Sequence, residues 1–328
     1  MARKNVRDLK EGDLVNEQYS VKFKKPPNAY KNKAGKWFEF RVGDATGEIS
    51  VKYWGRAGED VEKVYNSFEK GDIVRVVGNV TKFKDQLSIN VDSSSGGRVE
   101  KEEIYDIRQF IPTVEDVEWL DDRYEDMEKE FINMVRSVKD EWLSALLSAF
   151  FDDREFWEDF RNAPASMKRH SAFVHGLMHH TLNVAKICNT VTKMYPALDR
   201  NLTIAGALLH DIGKMREFSV STNINMTVEG ELMGHVFMGA EMVDEKCRSI
   251  DGFPDLLRKK IVHIVLSHHG KLENGWGSAK DPALPEAVAV FLADHTDSQV
   301  FQYLKLKHEA NTDDDWFYVR DMGHIFLK

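Results

Sequence analysis

The chain has 328 residues, a net charge of −9, 42% hydrophobic and 30% charged residues, the balance of a soluble globular protein with length for roughly two domains. Its start, Met1-Ala-Arg-Lys-Asn-Val-Arg7, lacks the apolar core of a secretion signal. No apolar run approaches the roughly 20 residues needed to cross a bilayer, so a cytoplasmic location without a membrane partner is expected.

Cys188 and Cys247 are the two cysteines. Both lie inside helical patterns and far apart, and read as buried small hydrophobes in a reducing compartment. The charge is uneven: the first hundred residues carry about +4, residues 101 to 160 about −12, and the remainder is near neutral. Any contact with nucleic acid is therefore local.

Residues 7 to 100 alternate apolar and polar positions between turn signals, the pattern of a small barrel or sandwich. Trp37-Phe-Glu-Phe-Arg-Val42 puts Phe38, Phe40 and Val42 on one face and Trp37, Glu39 and Arg41 on the other. Ile49 to Trp54 repeats this with Ile49, Val51 and Tyr53 inward and Ser50, Lys52 and Trp54 outward, and Gln86 to Val91 follows the same logic. Turns are expected at Gly43-Asp-Ala-Thr-Gly47 and Glu69-Lys-Gly-Asp72. Trp37 beside Arg41 and Trp54 beside Lys52 are candidate single-strand contacts, since bases stack on aromatics beside cations. Tyr30 and Phe83 are further candidates, and the run Lys22 to Lys36 attracts phosphate. The competing reading makes both tryptophans packing residues at a domain interface.

Asp92-Ser-Ser-Ser-Gly-Gly97 has linker composition. Residues 1–100 are expected as one domain, 101–112 as a linker in which Tyr105 to Pro112 runs extended, and 113–328 as a second, helical domain. Pro112 cannot sit inside a helix. Amphipathic helices are expected over Val114–Val138, strongly acidic, then Glu141–Phe151 and Arg154–Asn162.

Histidines then recur. After His170, the stretch Gly176-Leu-Met-His-His-Thr-Leu182 is expected as helix, with His180 inward beside Leu177, Thr181 and Val184, and His179 outward beside Asn183 and Lys186. Ile204-Ala-Gly-Ala-Leu-Leu-His-Asp-Ile-Gly-Lys214 is an apolar helix carrying adjacent His210 and Asp211 near its end, with Gly213 suited to a terminus. Leu232, His235, Gly239 and Met242 form one stripe of the following helix. Leu266-Ser-His-His-Gly270 closes another; His268 is preferred as a ligand there and His269 is kept as a neighbour or second-metal ligand. Asp294 ends the apolar run Val288 to Ala293. Imidazoles and carboxylates in oily helices are costly unless a cation binds them. His180, His210, Asp211, His235, His268 and Asp294 together read as a metal centre. Mixed histidine and carboxylate donors suit Mn, Fe, Co, Ni or Zn, and six ligands suit two ions with Asp211 between them.

The His210-Asp211 pair resembles the HD phosphohydrolase superfamily, which is named for it. The segment Phe-x-Val-x-Asp-x-Thr-Gly-Glu over Phe40 to Glu48, with Lys70-Gly-Asp-Ile-Val-Arg-Val-Val-Gly78, looks like an OB-fold barrel. An OB-fold followed by an all-α HD domain is similar to the YhaM family of 3'-to-5' exoribonucleases. That likeness also covers Phe110-Ile-Pro112, Gly-Leu-x-x-His-Thr-Leu, Gly-His-x-x-x-Gly and Leu-Ser-His-His-Gly. This sequence departs from the family at Ser171, usually His, at His175, usually Gly, and at His179, usually acidic.

The resemblance implies two-metal hydrolysis of phosphodiesters in single-stranded RNA or DNA, with Mn the foremost metal, releasing nucleoside 5'-monophosphates from the 3' end. His210 and Asp211 would be central, Lys214 would stabilise the scissile phosphate, and His269 or a water would protonate the leaving group. Two alternatives stay open: an HD phosphohydrolase acting on nucleotides or cyclic nucleotides, and a non-catalytic nucleic-acid-binding regulator. Oligomeric state is open as well.

Overall fold

The computed structural model describes residues 4–83, 86–106, 109–117, 119–120, 123–167, 171–275, 277–310, 312, 314–320 and 322–328. Two units emerge, Met1–Asp116 with Val220–Asn223, and Val117–Ser219 with Ile224–Lys328.

Seven strands build the first: β1 (Leu14–Lys24), β2 (Asn28–Ala29), β3 (Lys36–Asp44), β4 (Gly47–Trp54), β5 (Ile73–Phe83), β6 (Gln86–Asp92) and β7 (Arg98–Glu102), with helix α1 (Val61–Tyr65) between β4 and β5. The pairing order is β1-β3-β4-β6-β5, and β1 also pairs with β5, which closes a five-stranded barrel. The β4–β6 pair is parallel and its neighbours are antiparallel. Strand alternation sorts the residues as expected: Phe38, Phe40, Val42, Ile49, Val51, Tyr53, Ile89 and Val91 fill the core. The expected domain end at residue 100 falls inside β7, which pairs along β5 from Arg98 to Glu102.

The Asp-x-Thr of the β3–β4 connection is structural. Asp44 Oδ1 accepts from Thr46 N at 2.8 Å and Thr46 Oγ1 at 2.6 Å, while Oδ2 accepts from Val6 N at 2.8 Å. At the second expected turn, Asp72 Oδ2 accepts from Glu69 N at 2.7 Å.

The second unit is mostly helical: α2 (Tyr124–Arg136), α3 (Glu141–Phe151), α4 (Arg154–Asn162), α5 (Gly176–Met194), α6 (Arg200–Leu209), α7 (Lys214–Glu217), α8 (Val228–Ser249), α9 (Asp255–Ser267) and α10 (Pro285–Glu309). Two hairpins accompany the helices, β8 (Phe218–Val220) with β9 (Ile224–Met226) between α7 and α8, and β10 (Trp316–Val319) with β11 (Gly323–Phe326) after α10. Asp140, Asp153, Asp199 and Thr227 cap the N-termini of α3, α4, α6 and α8 through side-chain oxygens. Part of the acid-rich stretch is thus helix punctuation.

Among the described residues of the expected helix from Val114, regular helix begins at Tyr124. Val114–Asp116 is a single 3-10 turn, in which Asp116 Oδ2 accepts from Thr113 N at 2.8 Å and Oγ1 at 3.0 Å. This local bonding competes with a continuous helix. Residues 107 and 108 of the expected extended crossing, residues 118, 121 and 122 of the acidic segment, and His170 lie outside the described residues. Cys188 and Cys247 are buried free thiols, and burial pushes each up to about 12. Among the described residues no helix is long and apolar enough to cross a membrane.

α6 is the middle of the bundle: every residue from Leu202 to Leu209 is buried, with α5, α9 and α10 packed against it. A helix apolar on all sides belongs in such a place, and its end delivers the adjacent His210 and Asp211 to the interior.

Candidate metal centre

Four histidines turn one ring nitrogen toward a fixed acceptor. His210 Nδ1 lies 2.7 Å from Ala207 O, His268 Nδ1 2.6 Å from Val265 O, His180 Nδ1 2.6 Å from Asp297 Oδ2, and His235 Nδ1 2.9 Å from Glu217 Oε1. A carbonyl or carboxylate oxygen accepts, so Nδ1 carries a proton and the ring presents Nε2 on the other side.

All four Nε2 atoms converge on Asp211. Its Oδ2 lies 3.4 Å from His180 Nε2 and 3.4 Å from His210 Nε2, and its Oδ1 lies 3.6 Å from His235 Nε2 and 3.4 Å from His268 Nε2. His180 Nε2 is also 3.1 Å from Asp294 Oδ1 and 3.3 Å from His210 Nε2. The donors fall into two groups whose ligand atoms lie within 4.8 Å of one another: His180, His210 and Asp294, and Asp211, His235, His268 and His269.

Lone pairs pointed at lone pairs in a buried site need a positive charge between them. Asp211 Oδ1, His235 Nε2, His268 Nε2 and His269 Nδ1 are buried without a hydrogen-bond partner, which is the state expected of metal ligands. The ionisation pattern agrees. Burial opposes the charge on Asp211 and Asp294, yet Lys214 and His210 around the first, and His180 and His210 around the second, hold both well below the usual carboxylate range. Burial also opposes a charged His180, but Asp211, Asp294 and Asp297 outweigh it and raise that imidazole well above its ordinary value. A proton there stands in for a cation. Burial, then His268 and His235, push His269 down to about 2. A neutral imidazole suits a ligand and not a proton donor.

Known proteins give the same division of the chain. A family model described as HD domain matches residues 177–299, and one described as OB-fold nucleic acid binding domain matches residues 21–94. The chain joins an OB-fold to an HD domain. The likeness to YhaM holds along nearly all of it: the 3'-5' exoribonuclease YhaM of Shouchella clausii (strain KSM-K16) is 28% identical over 300 residues, covering 90% of this chain and 87% of that protein. Among solved structures, the second OB-fold domain of replication protein A from Methanococcus maripaludis covers 31% of this chain and 97% of its own at 21% identity and a TM-score of 0.25. The HD domain of the L. monocytogenes phosphodiesterase PgpH covers 40% and 73% at 19% identity and a TM-score of 0.28.

In the HD domain the six expected ligands His180, His210, Asp211, His235, His268 and Asp294 come together, and His269 joins the His235 and His268 group. Two side-chain expectations are corrected. His179 is buried, not outward, because α5 is covered by α2, α4, α6 and α10; it lies 3.4 Å from Ser171 Oγ and 3.3 Å from Asn183 Nδ2. Leu232 does not share a stripe with His235 and is 80% exposed. Gly234, at φ 70° and ψ 152°, breaks α8 between them and rotates the two halves apart. Lys214, expected at the scissile phosphate, is 6% exposed and donates to Asp211 Oδ2 at 2.5 Å. Three residues along the chain from a buried carboxylate, its ammonium is drawn to that charge first.

Asp297 and Glu217 also belong to the site. Asp297 carried a faint signal, three residues beyond Asp294 and so on the same helical face. Glu217 had none, because its partner His235 lies eighteen residues away across a hairpin.

In the OB-fold, Trp37 and Trp54 are cross-strand partners whose rings stack at 5.2 Å and 23°, and Tyr30 stacks on Trp54 at 6.1 Å and 12°. Trp54 Nε1 donates to Asn90 Oδ1 at 2.8 Å, and Lys33 Nζ stands 4.2 Å over the Tyr30 ring. Lys52, opposite Glu39 on β3, is half-buried beside this row. Arg41 is exposed and 3.7 Å from Glu48 Oε2, and Phe83 is exposed at the end of β5. A groove of about 1000 Å³ borders Trp54, with Asn16, Asn79, Thr81 and Asn90 in its wall.

Proposed function

We propose that this protein is a cytoplasmic, metal-dependent 3'-to-5' exonuclease that hydrolyses single-stranded RNA to nucleoside 5'-monophosphates. The observation that carries the reading is Asp211, whose two oxygens each face one ligand group. His180, His210 and Asp294 would hold one divalent cation and His235, His268 and His269 the other, with Asp211 common to both. Two such ions, of which Mn is the favoured identity, supply Lewis acidity and charge neutralisation for an in-line displacement at phosphorus.

The chain's own groups do the rest. Carbonyls and carboxylates behind the imidazoles fix every Nε2 before substrate arrives, so little reorganisation is left for the reaction. Lys214 offsets the charge of Asp211 and keeps that carboxylate ionised in a buried place. The Tyr30, Trp54 and Trp37 row of the OB-fold offers π-faces to unpaired bases, with Lys33, Lys52 and Arg41 for phosphates.

The test is RNA labelled at either end, incubated with protein and Mn²⁺, beside a His210→Ala, Asp211→Ala variant. The expected result is a ladder that shortens from the 3' end and is absent with the variant. Equal turnover of mononucleotide analogues and no ladder would assign the HD domain to nucleotides instead.

A further inference from the structure

The four anchored imidazoles are not anchored alike, and the difference follows from where each sits on its helix. His210 and His268 are the C-cap residues of α6 and α9, one position beyond Leu209 and Ser267. The last carbonyls of a helix have no intrahelical partner, so Ala207 O and Val265 O are free to accept from Nδ1, three residues back in each case. His180 lies within α5, and His235 opens the second half of α8 after the Gly234 break. Neither turns its Nδ1 to a carbonyl of its own helix. Each uses a carboxylate from another element, Asp297 of α10 for His180 at 2.6 Å and Glu217 of α7 for His235 at 2.9 Å. Glu217 Oε1 also accepts from His235 N at 3.1 Å, the backbone donor that the break at Gly234 releases. It therefore fixes both the ring and the start of the half-helix that carries it.

We propose that Glu217 and Asp297 are positioning residues, each serving one cation of the pair, so that the two halves of the centre can be emptied separately. The assignment rests on the metal-centre reading above. His180 belongs to one ligand group and His235 to the other, and each group keeps one carbonyl-anchored histidine that no substitution at these carboxylates disturbs. A carboxylate behind a ligating imidazole orients it and makes it a stronger donor, and its loss typically weakens metal binding about 10- to 100-fold.

The test uses Mn²⁺ as probe on the full chain, comparing wild type with Glu217→Gln, Asp297→Asn and the double variant. Both amides preserve shape and remove charge, and circular dichroism with a melting curve reports whether each variant folds. Metal content after dialysis and affinity by chelator competition are measured, and electron paramagnetic resonance separates coupled from isolated Mn²⁺. Wild type is expected to hold two coupled ions. Each single variant should keep one isolated ion at wild-type affinity and bind the other about 10- to 100-fold more weakly, and the double variant should bind both weakly. Two ions at wild-type affinity in either folded single variant, or simultaneous weakening of both ions by one substitution, would overturn the proposal. Wild type that takes up no Mn²⁺ would overturn the metal centre, and this assignment with it.

Discussion

Lys214 and Asp211 form a buried ion pair whose partners depend on each other. Removing one member of such a pair leaves an uncompensated charge and costs about 3–5 kcal/mol. A Lys214→Met variant should therefore melt well below wild type without metal, and added Mn²⁺ should narrow the gap by supplying the missing positive charge; calorimetry with and without Mn²⁺ checks both. At the other site, Trp54 stacks on both Trp37 and Tyr30. Trp54→Ala is expected to weaken binding of a single-stranded oligonucleotide by about 1–3 kcal/mol, read by fluorescence anisotropy, without altering Mn²⁺ uptake. Unchanged oligonucleotide affinity would favour a packing role for the tryptophans.

At the scale of elements, two glycines set where His235 stands. A Cβ on Gly213 would come within 2.1 Å of His235 O, so the start of α7 packs on α8 only without a side chain. Gly234 has open space around it and is constrained by its φ of 70° alone. Gly234→Ala should cost about 1–3 kcal/mol of backbone strain, whereas Gly213→Ala must displace α8 and should lose more Mn²⁺ affinity; melting curves and metal titrations of both variants test this.

Legibility in the sequence divides along the same lines. The apolar run before His210 and the alternation at Phe38 to Val42 and Ile49 to Tyr53 have a fixed period, and the strands and ligand-bearing helices follow from it. Hidden were the features that no period encodes. In the sequence Gly234 reads as one more helical residue, which puts Leu232 on the face of His235. A helical wheel turns His179 outward because it does not say that α5 is covered on both sides. Glu217 and Asp297 were invisible because their roles exist only through contacts with other elements. The six candidate ligands are readable for the opposite reason: each is a polar group in an apolar segment, and that conflict shows in the sequence itself.

For the whole molecule, the metal centre and the OB-fold are expected to separate functionally. Chelation should abolish cleavage while leaving oligonucleotide binding through the OB-fold in place, as measured by activity and anisotropy on the same sample. Ligands that bind only the folded state raise its stability, by about 2.7 kcal/mol at a hundredfold excess over Kd, so Mn²⁺ should also raise the melting temperature of the HD domain. The most direct test of the account is an anomalous diffraction map of crystals grown with Mn²⁺. Two peaks are expected, one against His180, His210 and Asp294 and one against His235, His268 and His269, with Asp211 touching both. A map with no peak at Asp211, or with a single ion held by other residues, would contradict it.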